Sequence, residues 1–286
     1  MAARETGALS PLVATDELAR HAEWRVFDCR HDLGNPALGE QQYARAHIPG
    51  ALFAHLDRDL SAPRTGSNGR HPLPTQQTIA AWLARQGLQR DDFVVAYDAG
   101  NGTMAARLWW TLRWIGHDAV AVLDGGYAKW VEEERPVSAE VPAFAPTGYV
   151  GRAQASRAVD ASFVENHLGA GGMLLVDARA AARYRGEAEP IDPIAGRIPG
   201  ARNRFCGENL TPEGCFKSAA TLRREFGALL GDRAPGEIVH YCGSGVAACH
   251  NALAMEIAGF AGSRVYVGSW SEWIADPRRP RAKGAD

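Results

Sequence analysis

Apolar positions along the chain follow two alternating periods. LLVDAR (174–179), EIVHYC (237–242) and RVYVGS (264–269) are short runs rich in β-branched and aromatic residues and bounded by turn formers, so they predict strands. TLRREFGALLG (221–231) and AACHNALAMEIAGF (247–260) carry apolar residues at helical spacing, with Gly231 and Gly259 as stops. Thr15 before DELARH and Asp160 before ASFVENHL read as helix N-caps. Strand and helix alternating in this way predict a mainly parallel sheet with helices on both faces. On such a sheet ligands sit beyond the carboxyl ends of the strands, where Cys242 falls.

The pattern is written twice. The first copy runs WRVFDCR, YARAHIPGALF, FVVAYDAGNG and VAVLDGGYAKW; the second runs MLLVDAR, YRGEA, AGRIPGARN, EIVHYCGSG and SRVYVGSWSEW. Asp28 answers Asp177, Ile48-Pro49-Gly50 answers Ile198-Pro199-Gly200, Asp98 answers Cys242 and Trp130 answers Trp273. The period, roughly 145 residues, far exceeds the ~20–50 of solenoid repeats and indicates duplicated domains. Between the copies, PVSAEVPAFAPTGYVGRAQASR (136–157) holds three prolines and two glycines without helical or strand period, and reads as a linker.

Composition narrows the function classes. A chain of 286 residues suits two domains, and a net charge of −2 gives no electrostatic reason for a nucleic-acid or anionic-membrane partner. No apolar run approaches the ~18 residues of a membrane span. The opening MAARETGALSPLV lacks the apolar core of a secretory signal, so the expectation is a cytoplasmic protein. Five cysteines (29, 206, 215, 242 and 249), with no CxxC and no finger spacing, argue against a disulfide framework and a structural zinc.

Cys242 therefore reads as a free thiol opening a strand–loop–helix segment, IVHY–CGSGVA–ACHNALAMEIAGF. Glycines let successive backbone N–H groups turn inward as a nest for an anion, and the helix behind adds its positive end. A thiolate there is stabilised and reactive. On loop chemistry alone, a buried structural cysteine and an activated nucleophile both stay open.

The loop CGSGVA, the duplicated IPGA turns and the closing GSWSEW resemble the two-domain rhodanese-type sulfurtransferases, over about residues 10–275. The neutral loop looks most like that of the 3-mercaptopyruvate members, usually CGSGVT; thiosulfate members carry basic residues where this chain has Gly243 and Ser244. The resemblance implies an α/β protein of two tandem rhodanese-like domains, each a mainly parallel sheet flanked by helices. Residues 1–137 would be the non-catalytic domain, 138–156 the linker and 157–286 the catalytic domain. It further implies ping-pong transfer: Cys242 takes sulfur from a small-molecule donor as a persulfide and passes it to a thiol (thioredoxin among them) or to cyanide, with no metal or organic cofactor.

By the same resemblance, Ser244, His71 in GRHPLP and Asp57 in FAHLDRDL form a proton-handling set beside Cys242. Gly243, Gly245, Val246 and Ala247 line the loop, and the substrate-carboxylate arginine matches Arg185 in RYRGE. Outside the family, His71 reads as a surface loop histidine, Asp57 as a solvated charge or cap, and Arg185 as a surface ion pair. The chain departs from the pattern in three places: Ala247 stands for Thr, EPIDPIAG lacks a second arginine, and Arg197 stands where the first copy has His47. Whether Arg197 replaces the missing arginine is open. A Cys-x5-Arg phosphatase is disfavoured by Ala248; a non-turnover sulfur carrier and a Cys242–Cys249 redox pair are the other readings. Trp109, Trp110 and Trp114 read as first-domain core or as a seam between the halves.

Overall fold

The computed structural model describes residues 10–284, so most of the N-terminal stretch read for a secretory signal lies outside the described residues. The first half contains β1 (Leu12–Val13), α1 (Thr15–Leu18), β2 (Arg25–Asp28), α2 (Ala37–Arg45), β3 (Leu52–Phe53), α3 (Gln76–Arg85), β4 (Val94–Tyr97), α4 (Thr103–Trp114), β5 (Val120–Leu123) and α5 (Gly126–Glu132). The second contains β6 (Ala158–Val159), α6 (Ala161–His167), β7 (Leu174–Asp177), α7 (Ala181–Arg185), β8 (Arg202–Asn203), α8 (Ala219–Leu230), β9 (Ile238–Tyr241), α9 (Ala247–Ile257), β10 (Arg264–Tyr266) and α10 (Ser269–Trp273). Each half folds into a five-stranded parallel sheet, in the orders β1-β5-β4-β2-β3 and β6-β10-β9-β7-β8. The α/β, twofold-repeated architecture is the expected one.

The central strands VVAY and IVHY are buried along their whole length, as strands covered by helices on both faces must be. One polar lock recurs in both sheets at their carboxyl ends. Tyr97 Oη donates to Asp28 (2.8 Å) and accepts from the Ile48 N–H (3.2 Å), while Arg30 clamps Asp28 and donates to the Ala46 carbonyl (2.7 Å). In the second copy Tyr241 accepts from the Ile198 N–H (3.3 Å), and Arg179 joins Asp177 to the Gly196 carbonyl (2.7 Å). The repeated Asp, Arg, Tyr and IPG signatures thus pin each IPG turn to its sheet.

Asp160 caps α6, accepting from the Phe163 N–H at 2.7 Å. Thr15 does not cap α1. It lies inside the first turn, with Ala14 at the N-cap, and its hydroxyl donates to the Glu133 carboxylate.

The halves share one core. Residues 248–255 of α9 and 105–112 of α4 are all buried, because α9 packs against its own sheet on one side and α4 on the other. Trp109, Trp110 and Trp114 belong to the same apolar cluster as Cys249, Leu253 and Met255, so they serve both as first-domain core and as seam. Through this seam passes Arg107, fully buried. Its Nη1 donates to the Gly245 carbonyl (3.2 Å) in the second half, and its Nη2 to the Leu60 (3.1 Å) and His71 (3.2 Å) carbonyls in the first.

The segment between the halves has no helix or strand from 139 to 154, yet it is no free tether. Thr147, Arg152 and Gln154 donate backbone N–H groups to the Ala84, Ile115 and Trp114 carbonyls (2.9, 2.8 and 2.7 Å), and the Arg25 guanidinium lies 3.7 Å from the Phe144 ring centroid. It straps itself along the first domain before entering the second. Among the described residues no helix is long and apolar enough to cross a membrane.

Arg107→Met keeps the volume of the side chain but strands three buried carbonyl acceptors. Stability should fall by about 2–4 kcal/mol, read as a lower urea midpoint without a change in slope. An unchanged midpoint would remove Arg107 from the interdomain lock.

Candidate active site

Cys242 follows directly on β9 and is 3% exposed. Its Sγ accepts from the Gly245 N–H at 3.1 Å. Gly245 has φ +79°, and a Cβ there would collide with the Val267 carbonyl, so the turn that aims this N–H at sulfur requires glycine. The closing segment holds the loop from behind. Ser269, itself at φ +54°, accepts from the Cys242 N–H (3.1 Å), and the Trp270 and Ser271 N–H groups donate to the Cys242 and Gly243 carbonyls (3.0 and 2.9 Å). α9 starts right after the loop with Val246 at its N-cap and no capping side chain, so its first N–H groups keep their capacity for an anion.

The first copy shows what such a loop binds. Asp98 stands in the cysteine's place, and its carboxylate accepts from the N–H groups of Gly100 (3.0 Å), Gly102 (3.0 Å), Met104 (2.8 Å) and Ala105 (3.3 Å). There the anion belongs to the protein. In the second copy Cys242 stands at that position, and its Sγ accepts from the Gly245 N–H.

His71 and Asp57 come from the first half and reach the loop of the second. His71 Nδ1 lies 2.7 Å from Ser244 Oγ, and His71 Nε2 lies 3.3 Å from Asp57 Oδ1. Burial, reinforced by the buried Arg107 cation, lowers the His71 pKa to about 3, so the ring is neutral. A neutral ring facing a carboxylate at Nε2 carries its proton there, which leaves Nδ1 to accept from the Ser244 hydroxyl. The order is Asp57···H–Nε2(His71)Nδ1···H–Oγ(Ser244). The structure thus brings Cys242, Ser244, His71 and Asp57 together.

Sulfur and serine open onto a cavity of about 220 Å³, lined by Cys242, Gly243, Ser244, Val246, Ala247 and residues of both halves, among them Met104, Arg70 and Arg183. Gly245 lies behind it, holding the sulfur. Leu33, Ile191 and Phe205, all exposed, form an apolar rim. A larger cavity of about 480 Å³ lies at the edge of the first domain, among Trp24, Ile48 and Trp130, and is lined by no cysteine, serine or threonine.

Arg185 is not at this site. Its Nε and Nη2 donate to Glu187 (2.7 and 2.8 Å) on the exposed face of α7. Residues two apart on a helix point to nearly opposite faces, so the arginine facing the cavity is Arg183. Arg197 does not replace the missing arginine either: its guanidinium lies over the Tyr184 ring (4.5 Å) and donates to the Gly284 carbonyl (2.6 Å). Sequence reasoning also missed Arg70 and Arg107. The signals were present, since Arg70 adjoins His71 and Arg107 is a lone charge in the apolar MAARLWW.

The other cysteines differ from Cys242 in their surroundings. Burial raises the pKa of Cys29, Cys206, Cys215 and Cys249, to about 12 for Cys206 and Cys249, and Cys249 Sγ–H is spent on the Gly245 carbonyl (3.2 Å). His31, His55 and Asp57 bring ligating atoms within 4.8 Å of one another. His55 Nδ1, however, accepts from the Asp57 and Arg58 N–H groups (3.1 and 3.3 Å), so its proton sits on Nε2, and Asp57 is taken by Arg64 and His71. That donor set suits a proton relay better than a metal.

Residues 14–133 and 160–276 each match the rhodanese-like domain. The chain belongs to the rhodanese family. It is 49% identical over 261 residues to a probable 3-mercaptopyruvate sulfurtransferase of Pseudomonas aeruginosa, covering 91% of this chain and 92% of that one. A putative thiosulfate sulfurtransferase of Mycobacterium tuberculosis is 36% identical over 270 residues, covering 91% and 90%. The solved 3-mercaptopyruvate sulfurtransferase from Leishmania major superposes with a TM-score of 0.83 at 28% identity, covering 94% of this chain and 75% of that one. This rhodanese is accordingly an enzyme of sulfur transfer.

A neutral buried His71 has a consequence for stability. The unfolded chain protonates it near 6.5, the folded chain only near 3, so the unfolded state binds more protons as pH falls through that window. His240 and His250, held by burial at about 3 and about 4, act with the same sign. Urea stability should therefore drop between pH 7.5 and 5.5, and drop less in His71→Gln. Equal losses in both proteins would show His71 to be accessible to protons.

Proposed function

We propose that this rhodanese moves a sulfane sulfur from 3-mercaptopyruvate through a Cys242 persulfide to a thiol or cyanide. The observation that carries the reading is the Gly245 N–H on Cys242 Sγ at 3.1 Å, with the Ser244–His71–Asp57 chain beside it. The Cys242 thiolate attacks the donor's sulfur. The S–C bond breaks with its electron pair going to carbon, which gives the enolate of pyruvate. The proton of the donor thiol passes through Ser244 to neutral His71, and returns to the enolate carbon. What is left on the enzyme is Cys242–S–S⁻, cradled by the loop as Asp98 is cradled in the first copy. An acceptor thiolate or cyanide then takes the outer sulfur and restores the Cys242 thiolate. Five free thiols and a reducible persulfide suit a reducing cytoplasm, where a dithiol protein of the thioredoxin kind is a fitting acceptor.

Donor preference follows from charge. Gly243 and Ser244 add no cation to the loop, whereas thiosulfate is a dianion; the single carboxylate of mercaptopyruvate matches Arg183. Thiosulfate as the main donor is the alternative, supported by the putative activity of the M. tuberculosis relative.

Cys242→Ser should abolish transfer and the donor-dependent mass gain of one sulfur, while Cys249→Ser keeps most activity. Persulfide found on another cysteine of the wild type would overturn the assignment. Arg183→Ala should raise KM for mercaptopyruvate roughly 10- to 150-fold, the equivalent of about 1.5–3 kcal/mol for a charge-assisted contact, with a smaller effect on kcat. His71→Ala should do the reverse, lowering kcat more than it raises KM. A wild-type kcat/KM higher for thiosulfate would overturn the donor preference.

A further inference from the structure

We propose that His31 is a positioning residue for the proton chain: it engages the second oxygen of Asp57 and so keeps the first one on His71. This rests on the Ser244–His71–Asp57 reading of the site.

The duplication shows His31 to be extra to the fold. Asp28, Arg30 and His31 at the end of β2 answer Asp177, Arg179 and Ala180 at the end of β7, and the lock on each sheet uses the aspartate and the arginine but neither His31 nor Ala180. Counted from the two IPG turns, His55 answers Phe205 and Asp57 answers Gly207. The second sheet closes without any of the three.

In the first copy these three side chains meet. His31 Nε2 lies 3.8 Å from Asp57 Oδ2, and the His31 ring stands edge-on to His55, with 5.5 Å between centroids. His55 Nδ1 accepts from the Asp57 and Arg58 N–H groups, so His55 fixes the Asp57 backbone while His31 faces its carboxylate. That carboxylate is divided between its oxygens. Oδ1 accepts from Arg64 Nη2 (3.1 Å) and faces His71 Nε2 (3.3 Å), and Oδ2 is left to His31.

One tautomer of His31 fits this place. Its side chain is 2% exposed, and burial lowers its pKa below the usual 6.5 against the pull of Asp57, so the ring is neutral near pH 7.5. Nδ1 is buried, and no group among the described residues pairs with it. A proton there would be an orphaned donor and would leave the Nε2 lone pair facing an anion. The proton therefore sits on Nε2, on the side of Oδ2. At this distance the contact joins a charge to an N–H dipole, short of a hydrogen bond.

Asp57 needs such a restraint. It is partly exposed, and the more exposed Arg64 pulls on the same oxygen that serves His71. With nothing on Oδ2 the carboxylate is free to turn about its Cβ–Cγ bond and follow Arg64, a cation, in preference to a neutral imidazole. His71 would then lack its counter-charge at the moment it carries the donor's proton. The loss falls on the chemical step rather than on substrate binding.

The test is a double-mutant cycle read in kcat and KM for mercaptopyruvate near pH 7.5. His31→Leu removes the N–H and should lower kcat about tenfold, with KM changed by less than about threefold. His31→Gln, whose amide nitrogen replaces Nε2, should recover most of the loss. In a His71→Ala background the same His31→Leu change should cost less than about twofold, because the residue it acts through is gone. Equal losses in both backgrounds, or an unchanged kcat in a folded His31→Leu, would overturn the proposal. If His31→Leu fails to fold by circular dichroism, His31→Asn decides: its shorter amide reaches only the Nδ1 position, so its kcat should lie about tenfold below that of His31→Gln, and equal values would overturn the proposal. Full activity in His71→Ala alone would instead remove the Ser244–His71–Asp57 reading, and the role of His31 with it.

Discussion

A single buried cation ties the site to the fold. Arg107 is enclosed in the seam between α4 and α9, and its hydrogen bonds go to carbonyls of Leu60, His71 and Gly245 rather than to a carboxylate. The neighbouring Cys249 thiol does not offset the charge, because burial keeps it protonated. A guanidinium charge in such a place disfavours a proton on His71, adding to the effect of burial. Geometry and electrostatics therefore share an origin. The residue that fixes the His71 backbone against the Gly245 backbone also helps to keep the imidazole neutral.

Duplication explains how two domains came to share one site without symmetry of function. Both copies keep the Asp–Arg–Tyr lock that fixes the IPG turn, because each sheet needs it to close. They differ at the loop after the central strand, where one copy closes its N–H nest with Asp98 and the other leaves it to Cys242. The first copy has Asp98 in place of the cysteine but contributes Asp57, Arg70 and His71 from the connection between β3 and α3, which reaches across the seam. That connection is where the halves specialised.

How much was legible in the sequence depends on the kind of information each feature needs. Strands, helices and their duplication follow from periodicity, which is local and appears twice. Cys242, Ser244, His71 and Asp57 were named through resemblance to a family, and the fold brings the last three within hydrogen-bonding reach of one another. Arg183 was displaced to Arg185 because the choice depends on the phase of a single helical turn, and RYRGE offers an arginine on each side of it. Thr15 looked like a cap because local composition cannot show Glu133 arriving from a distant helix. Arg107 matters only through partners far along the chain.

The strap from 139 to 154 bears on how sulfur leaves. It is fastened to the first domain by backbone hydrogen bonds, and the α4–α9 seam fuses the two cores, so the halves lack the slack of a hinge. The cavity beside Cys242 has an opening rimmed by Leu33, Ile191 and Phe205. A small thiol or cyanide can diffuse in to collect the sulfur. A folded protein cannot, and has to present its thiol on a projecting loop, with the shape of that opening acting as a filter on the recipients.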